Sequence, residues 1–285
     1  MKIGVSGASG KLGRKVLESL SQIGGHRLVG ISRSPETSPA PIEGRRGDYD
    51  EPTSLVGAYK GLDRLLLIPS ADLRPGVRGG QLAAAIDAAK EAGVSHVVLM
   101  SAAGTREAAE HSIGGAYWTG EQHVIRTAPH WTILRMNYYA EAMAEEIQMS
   151  IGMNTLAGLG DERVAYVSRD DLAAAAAGVL LGDGHAGAIY NGTGPAIVDG
   201  PGKAAIVSDI VGKPVSYAAI TEDQLRAGLS QAGMPEFVVE AIVEIKTTFV
   251  RGHFDILTND IERLAGRAPT SFRDVLAATL KGGGR

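Results

Sequence analysis

Three glycines constrain this chain more than anything else in its sequence. Gly7, Gly10 and Gly13 lie in Gly7-Ala8-Ser9-Gly10-Lys11-Leu12-Gly13, between the short apolar run Lys2–Val5 and a helical pattern over Lys11–Ile23. Leu12, Val16, Leu20 and Ile23 share one face of that helix. In such a setting each glycine has its own physical task. Gly7 permits a tight turn, Gly10 lets the backbone approach a pyrophosphate, and Gly13 lets helix and strand pack closely. The helix start, with Ser9, Lys11 and Leu12 beside it, offers free N–H groups and a partial positive charge to phosphates. The spacing therefore predicts a dinucleotide-binding loop.

Which dinucleotide is read about twenty residues further on, where an acid would accept a hydrogen bond from the ribose 2′-hydroxyl of NAD. Here Leu28-Val29-Gly30-Ile31 leads into Ser32-Arg33-Ser34, with no acid. Arg33 can instead fork onto the 2′-phosphate of NADPH and stack on the adenine. Lys11 offers a second positive charge. NADPH is the expected cofactor, and the plainer reading of Arg33 is a solvated loop arginine.

Short apolar runs alternate with helical patterns through the first half. Strands are predicted at Arg27–Ser32, Leu62–Ile68, His96–Met100 and Trp131–Arg135, and helices at Gly79–Ala92 and Thr119–Thr127. This alternation predicts an α/β fold, a doubly wound parallel sheet of the Rossmann type with right-handed crossovers. The second half reads as mostly helical: Tyr138–Ser150, Arg169–Leu181, Pro201–Val211, Glu222–Ala232, Pro235–Val250 and Phe272–Leu280, with one strand through Ala188–Asn191. Nothing resembles a linker. A single domain over 1–285 is expected, with its core roughly in 1–137 and an interleaved substrate-covering portion mostly within 138–285.

Composition narrows the function. The formal net charge of -4, with no basic block, speaks against nucleic acid and membrane surfaces. The absence of cysteine removes disulfides, thiolate metal sites and thiol nucleophiles. The spacing of His111, His123 and His130 matches no zinc pattern, so no metal is expected. The run Ile3 to Val5 is too short for a signal-peptide core, and Leu172 to Leu181 is about half a membrane span. A cytoplasmic protein is expected, as a monomer or homodimer.

The chain resembles the NmrA-like group of atypical short-chain dehydrogenases/reductases, and within it the bacterial triphenylmethane-dye reductases and small quinone reductases. The resemblance covers nearly the whole chain. It rests on the glycine loop, Arg33, Gly47-Asp48-Tyr49, Thr132-Ile133-Leu134-Arg135-Met136-Asn137-Tyr138-Tyr139, Val167-Ser168-Arg169-Asp170-Asp171-Leu172-Ala173, Tyr190-Asn191-Gly192-Thr193-Gly194 and Ala268-Pro269-Thr270-Ser271-Phe272. It implies that Asp48 meets the adenine edge and that Ile68 and Pro69 run along the cofactor. It likewise implies Ser101 and Ala102 near the nicotinamide and Asn137, Tyr138 and Tyr139 beside the reacting ring. Each has a plainer alternative: a turn former for Asp48, a strand-end cap for Ser101, helix-face packing for the tyrosines.

The Tyr-x-x-x-Lys pair of common carbonyl reductases is missing. Its nearest counterpart is Tyr117-Trp118-Thr119-Gly120-Glu121, with glutamate in place of lysine. A neighbouring carboxylate disfavours tyrosinate, and Gly120 is expected to interrupt the helix. Tyr117, Ser101 and Tyr139 are thus candidate active-site residues for positioning rather than acid–base work. The expected chemistry is hydride transfer to an electron-poor small molecule, apolar or aromatic, such as a quinone, an iminium or a conjugated dye. The competing reading is a redox-sensing regulator of the NmrA type, which binds the dinucleotide without turnover. Met143, Met149 and Met153, with Ile147 and Ile151, read equally as a substrate mouth or as core. Asp170 and Asp171 read as helix-start acids.

Overall fold

The computed structural model describes residues 1–108 and 112–282. Its first half runs β1 (Lys2–Ser6), α1 (Lys11–Ile23), β2 (Arg27–Ser32), β3 (Glu43–Arg46), α2 (Thr53–Tyr59), β4 (Arg64–Leu67), α3 (Val77–Glu91), β5 (His96–Ala102), α4 (Ile113–Thr127) and β6 (His130–Met136). The second half adds α5 (Ala140–Ser150), β7 (Thr155–Gly158), β8 (Arg163–Val164), α6 (Arg169–Leu181), β9 (Ala188–Gly192), β10 (Val198–Asp199) and α7 (Gly200–Val211). It ends with β11 (Ser216–Ala219), α8 (Glu222–Gln231), α9 (Glu236–Val250), α10 (Asp260–Ala265) and α11 (Phe272–Gly282).

Seven strands form one parallel sheet in the order β3-β2-β1-β4-β5-β6-β9. The order reverses between β1 and β4, so a crevice opens there beyond the carboxyl ends of the strands. The predicted doubly wound Rossmann sheet is what the chain adopts. Both faces are covered, and successive residues of each strand enter different cores. Val98 and Met100 of β5 join Ile3 and Val5 against α1 and α6, whereas Val97 and Leu99 join Leu65 and Leu67 against α2, α3 and α4. The alanine-rich α6 is buried because small side chains allow close approach. A Cβ on Gly178 would collide with the backbone carbonyl of Leu264, the penultimate residue of α10.

A third apolar cluster lies in the second half. Met143, Ala144 and Ile147 of α5 meet Leu156, Tyr166, Val207, Phe249, Phe272 and Leu276. Two small sheets frame it, β7 with β11 in parallel and β8 with β10 antiparallel. This smaller portion is interleaved with the sheet, because α6 and β9 lie between its segments and β9 pairs with β6. Among the described residues no helix is long and apolar enough to cross a membrane.

The sequence reading needs correction in several places. α4 begins at Ile113 rather than Thr119, and it runs unbroken through Gly120. Gly120 is there for packing, since a Cβ would stand 2.7 Å from the Leu82 side chain of α3. Four short strands of the second half, β7, β8, β10 and β11, were not anticipated, nor were α2 and α10. Met143 and Ile147 are core residues, while Met149 and Met153 are exposed, so this set forms no substrate mouth.

Candidate active site

A cleft of about 690 Å³ opens at the carboxyl ends of β1, β2, β4, β5 and β6. Its phosphate-sized end is backbone. Gly7 takes φ +88°, a conformation that L side chains rarely adopt, and its amide donates to the Ile31 carbonyl at 3.0 Å. The Gly10 amide donates back to Gly7 at 3.1 Å and closes the turn. Gly13 sits so close beneath that a Cβ would stand 2.9 Å from the Ala8 Cα and closer still to the Gly7 carbonyl oxygen. α1 then starts at Gly10 with no side-chain cap and no acid in its first turn. By contrast, Ser112, Ser168, Asp199 and Thr221 cap α4, α6, α7 and α8. The first-turn amides of α1 therefore face the cleft unpaired, where an anion would complete them.

The next wall follows β2. Ser32 and Arg33 line it, and among the described residues Arg33 is exposed and has no ion pair. Lys11 also lines the cleft, but its ammonium is engaged by Glu145 at 2.7 Å. Asp48, Tyr49 and Asp50 form the facing edge. Asp48 accepts from the Asp50 amide at 3.0 Å, and Asp50 accepts from Gln81 Nε2 at 2.7 Å. The Tyr49 hydroxyl donates to the Ile68 carbonyl at 2.9 Å and fixes the β4 exit, where Ile68 and Pro69 line the cleft. Ser9, Gly10, Leu12 and Gly13 complete this region.

The inner end is built from Met100, Met136, Tyr117, Tyr139, Arg78 and Arg169. Arg78 lies over the Tyr117 ring, 5.2 Å from its centroid, and Arg169 over the Tyr139 ring at 4.6 Å. Burial first, and then the neighbouring Tyr117, raises the Tyr139 hydroxyl well above the ordinary phenol range. It stays protonated. Among the described residues Lys11, at the opposite end, is the one lysine lining the cleft.

Several candidates from the sequence do not line this cleft. Ser101 is fully buried and donates to Glu121 Oε1 at 2.6 Å. Ala102 is buried beside it, its carbonyl receiving the Thr105 hydroxyl at 2.6 Å. One residue along a strand flips the face, so Met100 reaches the cleft and Ser101 reaches α4. Asn137 donates to the Phe254 carbonyl at 3.0 Å and accepts the Tyr138 amide at 2.8 Å. Tyr138 turns into the third core and donates to Glu146 at 2.6 Å, beside Lys246. Burial, then Glu146, raises its hydroxyl too. The side chains of Ser101, Asn137 and Tyr138 are thus hydrogen-bonded within the protein and do not line the cleft.

The sequence leaves Glu121 either beside the Tyr117 hydroxyl or in a structural pair. It is 1% exposed and grips Arg135 through two bonds of 2.9 and 2.6 Å, with Ser101 as a third donor. Asp171 is likewise buried, accepting Arg267 at 2.5 Å and the Thr270 amide at 2.7 Å, while Asp170 meets Lys15. Both start α6 as expected. His123 pairs with Asp87, His130 lies edge-on to His96, and His111 falls outside the described residues. Among the described residues no cluster of His, Asp or Glu is placed to hold a metal.

The family described as NAD(P)H-binding matches residues 7–182, more than half of the chain and the whole glycine loop. This chain belongs to the NAD(P)H-binding family. It is 28% identical over 287 residues to the NAD(P)H azoreductase of Xenophilus azovorans, covering 96% of each chain. Among solved structures, the NADPH-dependent quinone oxidoreductase from Escherichia coli, complexed with NADPH, matches at TM-score 0.90 and 27% identity, over 98% of this chain and 99% of that one. The Citrobacter sp. triphenylmethane reductase complexed with NADP(H) matches at TM-score 0.87 and 26% identity, over 98% of this chain and 100% of that one. The resemblance of this NAD(P)H-binding chain to dye and quinone reductases is thus borne out across its whole length.

Proposed function

We propose that this NAD(P)H-dependent oxidoreductase uses NADPH to reduce a small, apolar or aromatic, electron-poor acceptor, without a tyrosine–lysine dyad. The observation that carries the reading is a single cleft joining three features. These are a glycine cradle under a bare helix start, an Arg33 at the mouth with no ion pair among the described residues, and an inner end of methionines, tyrosines and arginines that no described lysine lines. The cradle fits a diphosphate because any side chain at Gly7 or Gly13 would strain or fill it.

In this reading the amides of α1 hold the pyrophosphate, Arg33 grips the 2′-phosphate and Asp48 meets the adenine. Ile68 and Pro69 guide the chain of the cofactor inward. When bound, the nicotinamide supplies a hydride at C4. Met100 and Met136 give the acceptor an apolar floor, and Tyr117 and Tyr139 wall it and exclude water. An acceptor that is already electron-poor needs orientation more than acid catalysis. Protonation comes from solvent, because the neutral Tyr139 is a poor acid and among the described residues no lysine of the cleft stands beside Tyr117.

The test is a panel of quinones, cationic dyes, cyclic imines and simple ketones mixed with protein and NADPH, with loss of NADPH absorbance as readout. Turnover of electron-poor acceptors but not ketones is expected. Turnover of none, alongside tight NADPH binding, would replace this reading with a redox sensor.

A further inference from the structure

One cation at the inner end of the cleft has no hydrogen-bonded or ion-paired partner among the described residues. Arg78, in the first turn of α3, is only 7% exposed, and its Nε makes no hydrogen bond among the described residues. Asp72, a carboxylate lining the cleft that feels the charge of Arg78, is engaged by Arg74 through the Arg74 amide at 2.9 Å and its Nε at 3.0 Å. A buried guanidinium is costly to desolvate unless something completes it. Arg78 has the face of Tyr117, the more distant charge of Asp72 and open cleft.

Its position says what that something is. A second cavity of about 570 Å³ adjoins the first under α9, with Leu73, Ile113, Ala116 and Phe237 in its wall. Arg78 and Asp72 line both spaces. Two acidic groups of the second cavity have other partners: Glu244 accepts from Arg106 and the Ile113 amide, and Glu240 accepts from Arg226, while Glu236 lines the wall near Phe237. The glycine cradle that suits phosphates lies at the other end, on β1 and α1. Arg78 thus marks the junction where an acceptor arriving through the second cavity would meet the inner end of the first. Across that junction Arg169, over Tyr139, adds a second cation.

We infer that Arg78 binds the acceptor oxygen on which negative charge develops, and that the preferred acceptor is a neutral quinone rather than a cationic dye or iminium. This rests on the hydride-transfer reading above. A quinone that takes up a hydride, with its two electrons, becomes a hydroquinone monoanion while NADPH leaves as NADP⁺. One proton from water then gives the hydroquinone. The anion appears on oxygen, where a fixed guanidinium stabilises it more than it stabilises the neutral quinone. A cationic acceptor becomes neutral on the same transfer, so it gains nothing from Arg78 and is repelled by it beforehand. A simple ketone would give a far more basic alkoxide, which needs a lysine-assisted proton donor, and no described lysine lines this end of the cleft.

The experiment compares wild type, Arg78→Met and Arg78→Lys. The acceptors are 2-methyl-1,4-naphthoquinone and a triarylmethane cation, and NADPH affinity is read by fluorescence. The anion 2-hydroxy-1,4-naphthoquinone, titrated onto NADP⁺-loaded protein, reports binding without turnover. Wild type should favour the quinone in kcat/KM. Arg78→Met should lower kcat for the quinone about 10²–10³-fold, the range for losing an oxyanion donor. KM should move less, kcat/KM for the dye should rise as the repulsion is removed, NADPH affinity should hold, and the anion should bind at least about tenfold more weakly. Arg78→Lys should recover part of kcat, which also guards against a misfolded Arg78→Met. A wild-type preference for the cation, equal losses with both acceptors, or a tenfold loss of NADPH affinity would overturn the assignment of Arg78. Failure of wild type with every acceptor would instead remove the reductase reading itself.

Discussion

Replacing Gly13 by alanine tests the cradle by adding one methyl group. The new Cβ would stand 2.9 Å from the Ala8 Cα and the Gly7 carbonyl carbon, about 0.5 Å inside the 3.4 Å at which ordinary contact begins, and closer still to the Gly7 oxygen. All three neighbours are backbone, so no side chain can swing aside. Either α1 slides away from the loop or the loop opens, and overpacking of this kind costs about 1–3 kcal/mol of stability. The same displacement takes the Lys11 and Leu12 amides off a pyrophosphate. Losing one charge-assisted bond, worth about 1.5–3 kcal/mol, weakens binding roughly tenfold to a hundredfold. Urea unfolding gives the first quantity, and fluorescence titration with NADPH and with NADH gives the second. Both cofactors should lose affinity equally, because they share the pyrophosphate. A folded Gly13→Ala protein with unchanged affinity for both would refute this reasoning, and so would a loss confined to NADPH.

Glu121→Gln removes the carboxylate that holds Arg135, which is a quarter exposed, and leaves Ser101 a weaker acceptor. Breaking such a pair should destabilise the fold by about 3–5 kcal/mol in urea unfolding. The kcat of the surviving folded fraction should stay within a few-fold; a hundredfold fall would make Glu121 part of the chemistry. His96, at the opposite end of the sheet, gives a pH signature. Burial first, then the positive charge of Arg64, lowers its pKa from 6.5 to about 4. The Thr132 hydroxyl donates to the His185 carbonyl, so it accepts from His96 Nε2, which leaves Nδ1 unprotonated in the folded state. As pH falls the unfolded chain takes up this proton first. The contribution of His96 is complete above about pH 6.5 and is lost progressively toward about pH 4. Urea midpoints of His96→Gln should therefore fall less than those of wild type over that range, and parallel curves would contradict the shift.

The parts of the fold legible in the sequence were those with a local cause. Ile3 to Val5, Leu65 to Leu67 and Val97 to Met100 are apolar runs buried on both faces, and a parallel sheet follows from them. The glycine cradle is local too, since Gly7, Gly10 and Gly13 act within one turn. The four short strands β7, β8, β10 and β11 have two or four residues each, too few to show a period. The start of α4 was hidden by Gly114 and Gly115, poor helix formers that the Ser112 cap and packing on Arg106 and α3 override.

The inner site was less legible for a related reason. A strand buried on both faces carries no polar–apolar alternation to fix its parity, so Ser101 looked as eligible as Met100. Arg78 and Arg169 come from helices 91 positions apart in the chain and meet Tyr117 and Tyr139 only through the winding of the sheet. A charged residue inside the alanine-rich, largely buried α3 was the one available clue to Arg78.

The measurement that bears most directly on the account is the affinity of wild type and Arg33→Ala for NADPH and NADH, taken side by side. NADPH should bind wild type more tightly, and Arg33→Ala should weaken NADPH roughly tenfold to a hundredfold while NADH barely changes. Equal losses for both cofactors, or no saturable binding of either to wild type, would contradict it.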